Sequence, residues 1–222
     1  GPDRKRENRY PNVPFSNAFI GNYLRMIALM DNGCYEQALS EVRGYFGFNP
    51  NYAEEYDVED VLKHEGYIGF KTLPDYYRTP LGDRRYQKLF EIANAYSLAL
   101  LVHTWGFSPY NDVEDMKKIA DRYPDIRLIM GHSAPNRLDD AIALAKEKEN
   151  VYLDLCDIHR HSGIVAKMVN AVGSEKVLFG TDLPWYDPNY CLGSVLYADI
   201  ADADRDNIFY KNAERIIRSI KK

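Results

Sequence analysis

Residues 99–132, ALLVHTWGFSPYNDVEDMKKIADRYPDIRLIMGH, contain the pattern that decides the fold. Two short apolar runs, Ala99–His103 and Arg127–Gly131, enclose the segment Val113–Tyr123, whose apolar residues recur at helical spacing. Short apolar runs bounded by turn residues are typical of buried parallel strands. A helix between two such strands makes one β-α unit, so this segment predicts a parallel sheet covered by helices.

The same alternation of strand and helix continues from about residue 43 to the end of the chain. Further amphipathic stretches at Arg84–Tyr96 and Leu138–Lys148 are predicted helices. The predicted strands are Tyr45–Phe48, Tyr67–Leu73, Ala99–His103, Arg127–Gly131, Val151–Leu155 and Val177–Gly180. We therefore expect six parallel strands with right-handed crossovers.

The residues that end successive strands are Lys71, His103, His132, Leu155 and Asp182. The interval from each of these residues to the next has the length of one β-α unit. On this pattern alone, an open doubly wound sheet and a closed barrel both remain possible. No glycine-rich phosphate loop follows any predicted strand, and this argues against the nucleotide-binding form of the open sheet.

Length and composition limit the classes of protein to consider. A chain of 222 residues forms one domain, which we predict over 1–222, with 1–42 as an atypical helical segment and 43–222 as β/α units. The net charge of −5 and the lack of an internal basic block argue against a nucleic-acid partner. No apolar run approaches the ~20 residues that span a bilayer. The three cysteines form no CxxC pair, which favours a reducing compartment, with the cytoplasm as the default.

Polar residues at strand ends are the candidates for chemistry. In a barrel of parallel strands these ends open on one face, so His103, His132 and Asp182 would converge there as a nitrogen and oxygen site for zinc or a similar divalent cation. Lys71, on the same face, could act as a base, orient the substrate or, if carboxylated, bridge two metals. Each residue also has a purely structural interpretation. The histidines could be hydrogen-bonded core or loop residues, Asp182 could cap a turn before Pro184, and Lys71 could extend into solvent.

Taken together, these segments resemble the amidohydrolase-related family, which includes metal-dependent hydrolases and the aminocarboxymuconate-semialdehyde decarboxylase group. The resemblance covers roughly residues 43–222. The matching segments are Gly66–Lys71, Leu101–Trp105, Ile129–Ser133, Val151–Asp154 and Leu178–Pro184, together with Asn49–Asn51 and Asn212–Arg215.

The resemblance implies a TIM-type (β/α) barrel and a role for each matching residue. His103 and Asp182 would be metal ligands, and Asp182 would also interact with a metal-bound water. His132 would be a second histidine ligand or the group that handles the proton of that water. The resulting hydroxide would attack a carbonyl carbon, whereas the decarboxylating branch would protonate its substrate.

The sequence also departs from the family pattern. The first strand of the family ends in a His-x-His pair, which is not found near the N-terminus of this sequence, and a full barrel of eight units takes ~250 residues. We therefore expect a barrel truncated at the N-terminus. The chain's His-x-His, His159-Arg160-His161, follows the Val151 strand and could bind substrate or replace the lost ligands. Trp105 and Trp185 could form the wall of an aromatic substrate pocket or could simply pack on the rim.

These observations lead to three functional hypotheses. The first is a metal-dependent hydrolase acting on a C–N or C–O bond of a small molecule, with Lys71, His132 and Asp182 as catalytic residues. The second is a catalytically inactive barrel that serves as a binding or assembly module, and the third is a non-oxidative decarboxylase. A barrel that lacks two strands has open edges, so we expect a homo-oligomer, a homodimer in the simplest case, to cover that side unless segment 1–42 does so.

Overall fold

The structure, a computed structural model, describes residues 44–54, 58–63, 66–158, 161–183 and 185–221. Six parallel strands form one sheet in which each strand pairs with the next one along the chain. The strands are β1 (Gly44–Gly47), β2 (Tyr67–Thr72), β3 (Ala99–His103), β4 (Arg127–Gly131), β5 (Val151–Asp154) and β6 (Val177–Leu178). The predicted helices within 1–42 lie outside the described residues.

Helices follow the strands along the chain. The α-helices are α1 (Asp60–Lys63), α2 (Pro74–Tyr77), α3 (Gln87–Ala95), α4 (Val113–Arg122), α5 (Leu138–Glu147), α6 (Ile164–Val172), α7 (Pro188–Leu196), α8 (Asp202–Asp206) and α9 (Asn212–Arg218). Short 3₁₀ turns lie at Pro50–Tyr52, Arg84–Tyr86, Pro135–Arg137 and Ser174–Lys176, and a π-helical turn lies at Asn207–Lys211. Among the described residues, none of these helices combines the length and the apolar run needed to cross a bilayer.

Most predicted element bounds agree with the structure to within two residues. Strands β3 and β4 begin and end where the sequence predicted. Strand β6 is the shortest, because the Phe179 amide donates its hydrogen bond to the Ile208 carbonyl, 3.1 Å away, instead of to a neighbouring strand. The predicted helix Arg84–Tyr96 begins with a 3₁₀ turn. The Asp83 side chain caps this turn by accepting a hydrogen bond from the Arg85 amide.

Both faces of the sheet are apolar. The larger core lies between the sheet and the helices, where the strands contribute residues such as Leu100 and Leu128. Helix α4 faces this core with Val113, Met116, Ile119 and Ala120, which recur at three- and four-residue spacing.

The smaller core lies on the opposite face of the sheet. Its buried residues, and the half-buried tyrosines packed against them, are Ala99, Leu101, Ile129, Leu178, Ile216, Tyr45 and Tyr152. Because both faces are covered by apolar groups, the strands have nearly continuous apolar sequences, as expected for buried parallel strands.

Strands β1 and β6 form the edges of the described sheet. A sheet edge offers unpaired backbone groups, which is the reason that the sequence predicted association of two or more copies on this side. This association stays a prediction, as does the assignment of 1–222 to one domain.

Strand β2 approaches β3 closely at Gly69. A Cβ atom at Gly69 would lie 1.8 Å from the Ala99 carbonyl oxygen, which no rearrangement of a side chain can relieve. We therefore expect Gly69→Ala to lower the free energy of unfolding by about 3 kcal/mol or more. Urea unfolding measures this quantity, and Gly82→Ala is the matched control, since its Cβ would have no atom within 4 Å. Equal stabilities of the two variants would contradict the close approach.

Candidate active site at the carboxyl ends of the strands

A cavity of about 60 Å³ lies at the carboxyl ends of the strands. It brings together the four residues that the sequence predicted to converge there, Lys71, His103, His132 and Asp182. The other lining residues are Leu101, Gly131, Asp154, Cys156, Thr181 and Leu183. The common direction of parallel strands explains this convergence, because each strand delivers its last residues to the same end of the sheet.

The two imidazole rings are buried next to each other. His103 ends β3 and His132 follows β4, and their ring centroids are 4.7 Å apart with the planes nearly perpendicular. The indole of Trp105 stacks on the His132 ring, with centroids 4.7 Å apart and planes at 7°. Trp105 also meets the edge of His103, so one aromatic side chain holds both imidazoles in place.

The backbone after β4 adopts an unusual conformation. His132, Ser133 and Ala134 have φ angles of 68°, 52° and 47°, a left-handed region in which each non-glycine residue costs about 1–3 kcal/mol. Hydrogen bonds across the strand ends hold this turn: Ser133 Oγ donates to the Asp154 carbonyl at 2.8 Å, and the Ala134 amide donates to Thr104 Oγ1 at 3.1 Å. The turn directs the His132 ring into the cavity.

Burial determines the charge of His132. Desolvation, with a smaller contribution from neighbouring His103, lowers the pKa of His132 to about 3. The ring is therefore uncharged near pH 7, and it can accept a proton or a hydrogen bond.

A carboxylate and a thiol complete the wall behind His132. The Cys156 thiol donates to Asp154 Oδ2 at 2.7 Å, and Cys156 Sγ lies 3.2 Å from His132 Nδ1. Burial raises the pKa of the Asp154 carboxyl group and raises that of the Cys156 thiol further, so the sulfur keeps its proton. The sequence prediction gave neither residue a role. The signal that could have found Asp154 is a carboxylate ending an otherwise apolar strand on the functional face.

Another carboxylate, Asp75 in α2, lies behind His103. Its Oδ2 is 3.6 Å from His103 Nδ1, and both atoms are buried without a hydrogen-bond partner. Ser108 Oγ donates to Asp75 Oδ1, and Asn111 Nδ2 donates to the backbone carbonyl of His103. Burial opposes ionisation of Asp75, but the nearby His103 ring and the hydrogen bond from Ser108 lower its pKa overall. Asp75 was missed because it follows the end of β2 in a helical turn rather than at the strand end itself.

Lys71 and Asp182 also line the cavity. Burial raises the pKa of Asp182 although the positive charge of Lys71 acts in the other direction. Within the described part of the chain, the Lys71 ammonium makes no hydrogen bond or ion pair. The Lys71 ammonium therefore lines the cavity without a direct hydrogen-bond acceptor among the described side chains.

Of the predicted substrate-binding residues, Trp105, Trp185 and His161 are not among the described residues that line this cavity. The Trp185 side chain is 79% exposed, whereas Trp105 is half-buried against the histidines. His161 is exposed and lies in a surface depression beside Phe107 and Arg137. His159 falls outside the described residues. Substrate-binding roles for all four stay predictions.

The side chains that could bind the predicted divalent cation do not form a complete ligand set among the described residues. Among the described residues, no three His, Cys, Asp or Glu side chains form a group that could hold an ion. The donors that line the cavity, His103, Asp182 and Nε2 of His132 among them, do not form such a group, while protein zinc sites use three or four ligands. The described residues thus supply an incomplete set, and they do not fit a resident metal by themselves.

The uncharged state of His132 predicts how stability depends on pH. An unfolded chain protonates this imidazole below about pH 6.5, whereas the folded chain does so only near pH 3. The unfolded state therefore binds more protons in this window, and the free energy of unfolding falls as the pH is lowered through it. Between pH 7.5 and 5, we expect the wild type to lose on the order of 2 kcal/mol more than His132→Asn.

Asparagine suits this comparison because it tolerates a positive φ and places an amide nitrogen near the position of Nδ1. Urea unfolding at the two pH values measures the difference. The same pH dependence in both proteins would show that His132 is not held uncharged.

Comparison with known proteins places the site in context. The amidohydrolase family model matches residues 26–218. The gamma-resorcylate decarboxylase of Polaromonas sp. strain JS666 is 25% identical over a match 143 residues long, and the coverage is 54% of this chain and 44% of that protein. The match therefore spans less than half the length of this curated relative.

Solved structures share the fold. An uncharacterised TIM-barrel protein from Bordetella bronchiseptica superposes with a TM-score of 0.70 and 17% identity, covering 89% of this chain and 72% of that one. A dihydroxybenzoic acid decarboxylase from Polaromonas sp. JS666 was solved with manganese and the inhibitor 2-nitroresorcinol. It superposes with a TM-score of 0.62 and 16% identity, covering 89% of this chain and 74% of that one. The similarity confirms the barrel-type α/β fold, and the family match over most of the sequence shows that this chain belongs to the amidohydrolase family.

Proposed function

We propose that the cavity binds the carboxylate of a hydroxylated aromatic acid and supports its non-oxidative decarboxylation. The observation that carries this proposal is the unpaired ammonium of Lys71, which shares one cavity with two imidazoles and two carboxylates. Lys71 is half-buried, and an anionic group of a substrate would give its ammonium a direct partner. The similarity to decarboxylases of dihydroxybenzoates supports an aromatic acid as that substrate.

The size of the cavity suits the reacting end of such a molecule. A volume of about 60 Å³ is far below the roughly 300–1,000 Å³ of pockets that enclose a whole ligand. The carboxylate would enter the cavity, and the ring would lie at its mouth. In this position the carbon that bears the carboxylate comes close to the proton-handling groups.

Three side chains divide the work of the reaction. Lys71 holds the carboxylate by a charge-assisted hydrogen bond. His132, uncharged, accepts a hydrogen bond from a ring hydroxyl at Nε2, and this increases the electron density of the ring. Asp182 delivers a proton from its carboxyl group to the carbon that bears the carboxylate. The bond from that carbon to the carboxylate then breaks, its electron pair stays with the ring, and CO₂ leaves.

A divalent cation is proposed only as an addition to this scheme. The dihydroxybenzoic acid decarboxylase structure contains manganese, and the sequence predicted zinc for this chain. His103 and Asp182 have the donor chemistry for such an ion, but they make up only part of a ligand set. The steps given above therefore depend on the chain's own residues.

Hydrolysis of a C–N or C–O bond, the first hypothesis from the sequence, would use the same residues on a neutral substrate. The cavity favours the decarboxylase because its free cation matches an acid better than an amide or ester. An inactive binding module would keep the cavity but would release no product. One assay separates the three.

We expect the chain, supplied with manganese, to release CO₂ from gamma-resorcylate (2,6-dihydroxybenzoate) or a related hydroxybenzoate. Lys71→Met should reduce kcat/KM by about 10- to 100-fold, since a charge-assisted hydrogen bond contributes about 1.5–3 kcal/mol. Lys118→Met is the matched control, because Lys118 is an exposed lysine of α4 that pairs with Asp115. Release of CO₂ from the labelled carboxylate measures the rate.

Three outcomes of this assay would count against the proposal. Equal kcat/KM in Lys71→Met and wild type would remove Lys71 from substrate binding. Turnover of esters or amides without CO₂ release would favour the hydrolase. Binding of the acids without turnover would favour the inactive module.

The incomplete ligand set also predicts weak metal binding. We expect the purified chain, incubated with zinc or manganese and then desalted, to retain well below one ion per chain, because two or three dispersed donors hold a divalent ion poorly. Elemental analysis beside a His103→Ala/Asp182→Ala variant measures this. One tightly held ion per chain, lost in the variant, would contradict the expectation.

A further inference from the structure

Three buried groups form a continuous chain of hydrogen bonds behind the proton-handling histidine. Asp154 Oδ2 accepts from the Cys156 thiol at 2.7 Å, and Asp154 Oδ1 accepts from the Cys156 amide at 3.3 Å. On its other side, the same sulfur lies 3.2 Å from His132 Nδ1. All three side chains are at most 5% exposed, so these contacts are shielded from bulk water.

The number of protons decides how this chain is arranged. A thiol carries one hydrogen, and the short contact with Asp154 uses it. The sulfur therefore faces His132 with a lone pair, and the nitrogen opposite must be the donor. That nitrogen is Nδ1, which leaves Nε2 with the ring's unprotonated lone pair.

We propose that Cys156 is a positioning residue that, together with Asp154, fixes His132 as the Nδ1-protonated tautomer. The arrangement makes Nε2 the acceptor available to a ligand. The tautomer itself follows from the hydrogen bonds, whereas the use of Nε2 on a ring hydroxyl rests on the proposed function.

The opposite arrangement would require Asp154 to be protonated and to donate to the sulfur, which would then donate to Nδ1. Burial raises the pKa of Asp154 and so acts against its carboxylate form, but two features favour that form. The Cys156 amide, which can only donate, is directed at Asp154 Oδ1, and the positive charge of Lys71 lowers the pKa of the same group. The raised pKa of the Cys156 thiol agrees with a sulfur that keeps its proton.

The surroundings keep the three groups in register. Ser133 Oγ donates to the Asp154 carbonyl at 2.8 Å, which ties the turn after β4 to the end of β5. The Leu155 amide donates to the Leu178 carbonyl at 3.0 Å, which ties the end of β5 to β6. Stacking of Trp105 holds the plane of the His132 ring independently of Cys156. A change at Cys156 therefore alters the hydrogen bond to Nδ1 while the ring keeps its packing.

Nitrogen-15 NMR of the full chain, labelled at its histidine rings, measures the tautomer directly, because protonated and unprotonated ring nitrogens have well-separated chemical shifts. His132→Asn identifies the signals of His132. At pH 7 we expect wild-type His132 in a single form with the proton on Nδ1. Cys156→Ala should lose that preference and give a mixture or the Nε2-protonated form.

Two further variants complete the test. Cys156→Ser should restore the Nδ1-protonated form, because a hydroxyl group both donates to Asp154 and accepts from Nδ1. Cys191→Ala is the matched control, since Cys191 is also buried but its sulfur contacts the Thr181 carbonyl, 3.9 Å away, rather than the His132 ring. This variant should leave the His132 signals unchanged.

Wild-type His132 with its proton on Nε2 would overturn the proposal. The same would follow if Cys156→Ala kept the Nδ1-protonated form with unchanged shifts. The wild-type spectrum decides the tautomer even if Cys156→Ala fails to fold, and neither spectrum depends on turnover. A confirmed tautomer in a protein that releases no CO₂ would refute the proposed function and leave the positioning role of Cys156 standing.

Discussion

Parallel pairing of consecutive strands is the constraint on which the rest of this structure depends. Each of the six strands pairs with the next one in the sequence, so each crossover returns the chain to the same end of the sheet. The last residues of β2, β3 and β4 and the loops that follow β5 and β6 therefore meet in one place. No separate device is required to bring Lys71, His103 and Asp182 together, although 111 residues of sequence separate the first from the last.

The position of a residue at a strand end does not by itself orient its side chain. That orientation depends on hydrogen bonds between neighbouring strand ends. Thr104 Oγ1 donates to the Gly131 carbonyl at 2.7 Å and accepts from the Ala134 amide, which links the loop after β3 to the turn after β4. Ser133 extends the connection to β5. These bonds compensate for the left-handed backbone of three successive residues, and the strained turn directs His132 into the cavity.

The sequence predicted the bounds of a strand correctly where the apolar run is as long as the segment that pairs with neighbouring strands, as in β3 and β4. It overestimated β6, because the direction of the Phe179 amide depends on Ile208, a residue distant in sequence. The candidate residues at strand ends were found for the same reason that the strands were. Asp75 and Cys156 were not found, because their roles come from contacts with histidines on other strands, and no local pattern encodes such contacts.

The charges of the site follow from the same geometry. Burial raises the pKa values of Asp154 and Asp182 and lowers that of His132, so each group moves toward its uncharged form. Lys71 opposes this effect at the two carboxylates, because its positive charge stabilises their ionised forms. The cavity therefore holds groups that exchange protons beside a cation that attracts an anion. A neutral substrate would give the Lys71 ammonium no anionic hydrogen-bond acceptor, whereas a carboxylic acid would supply one and would place its own reacting bond beside the proton donors.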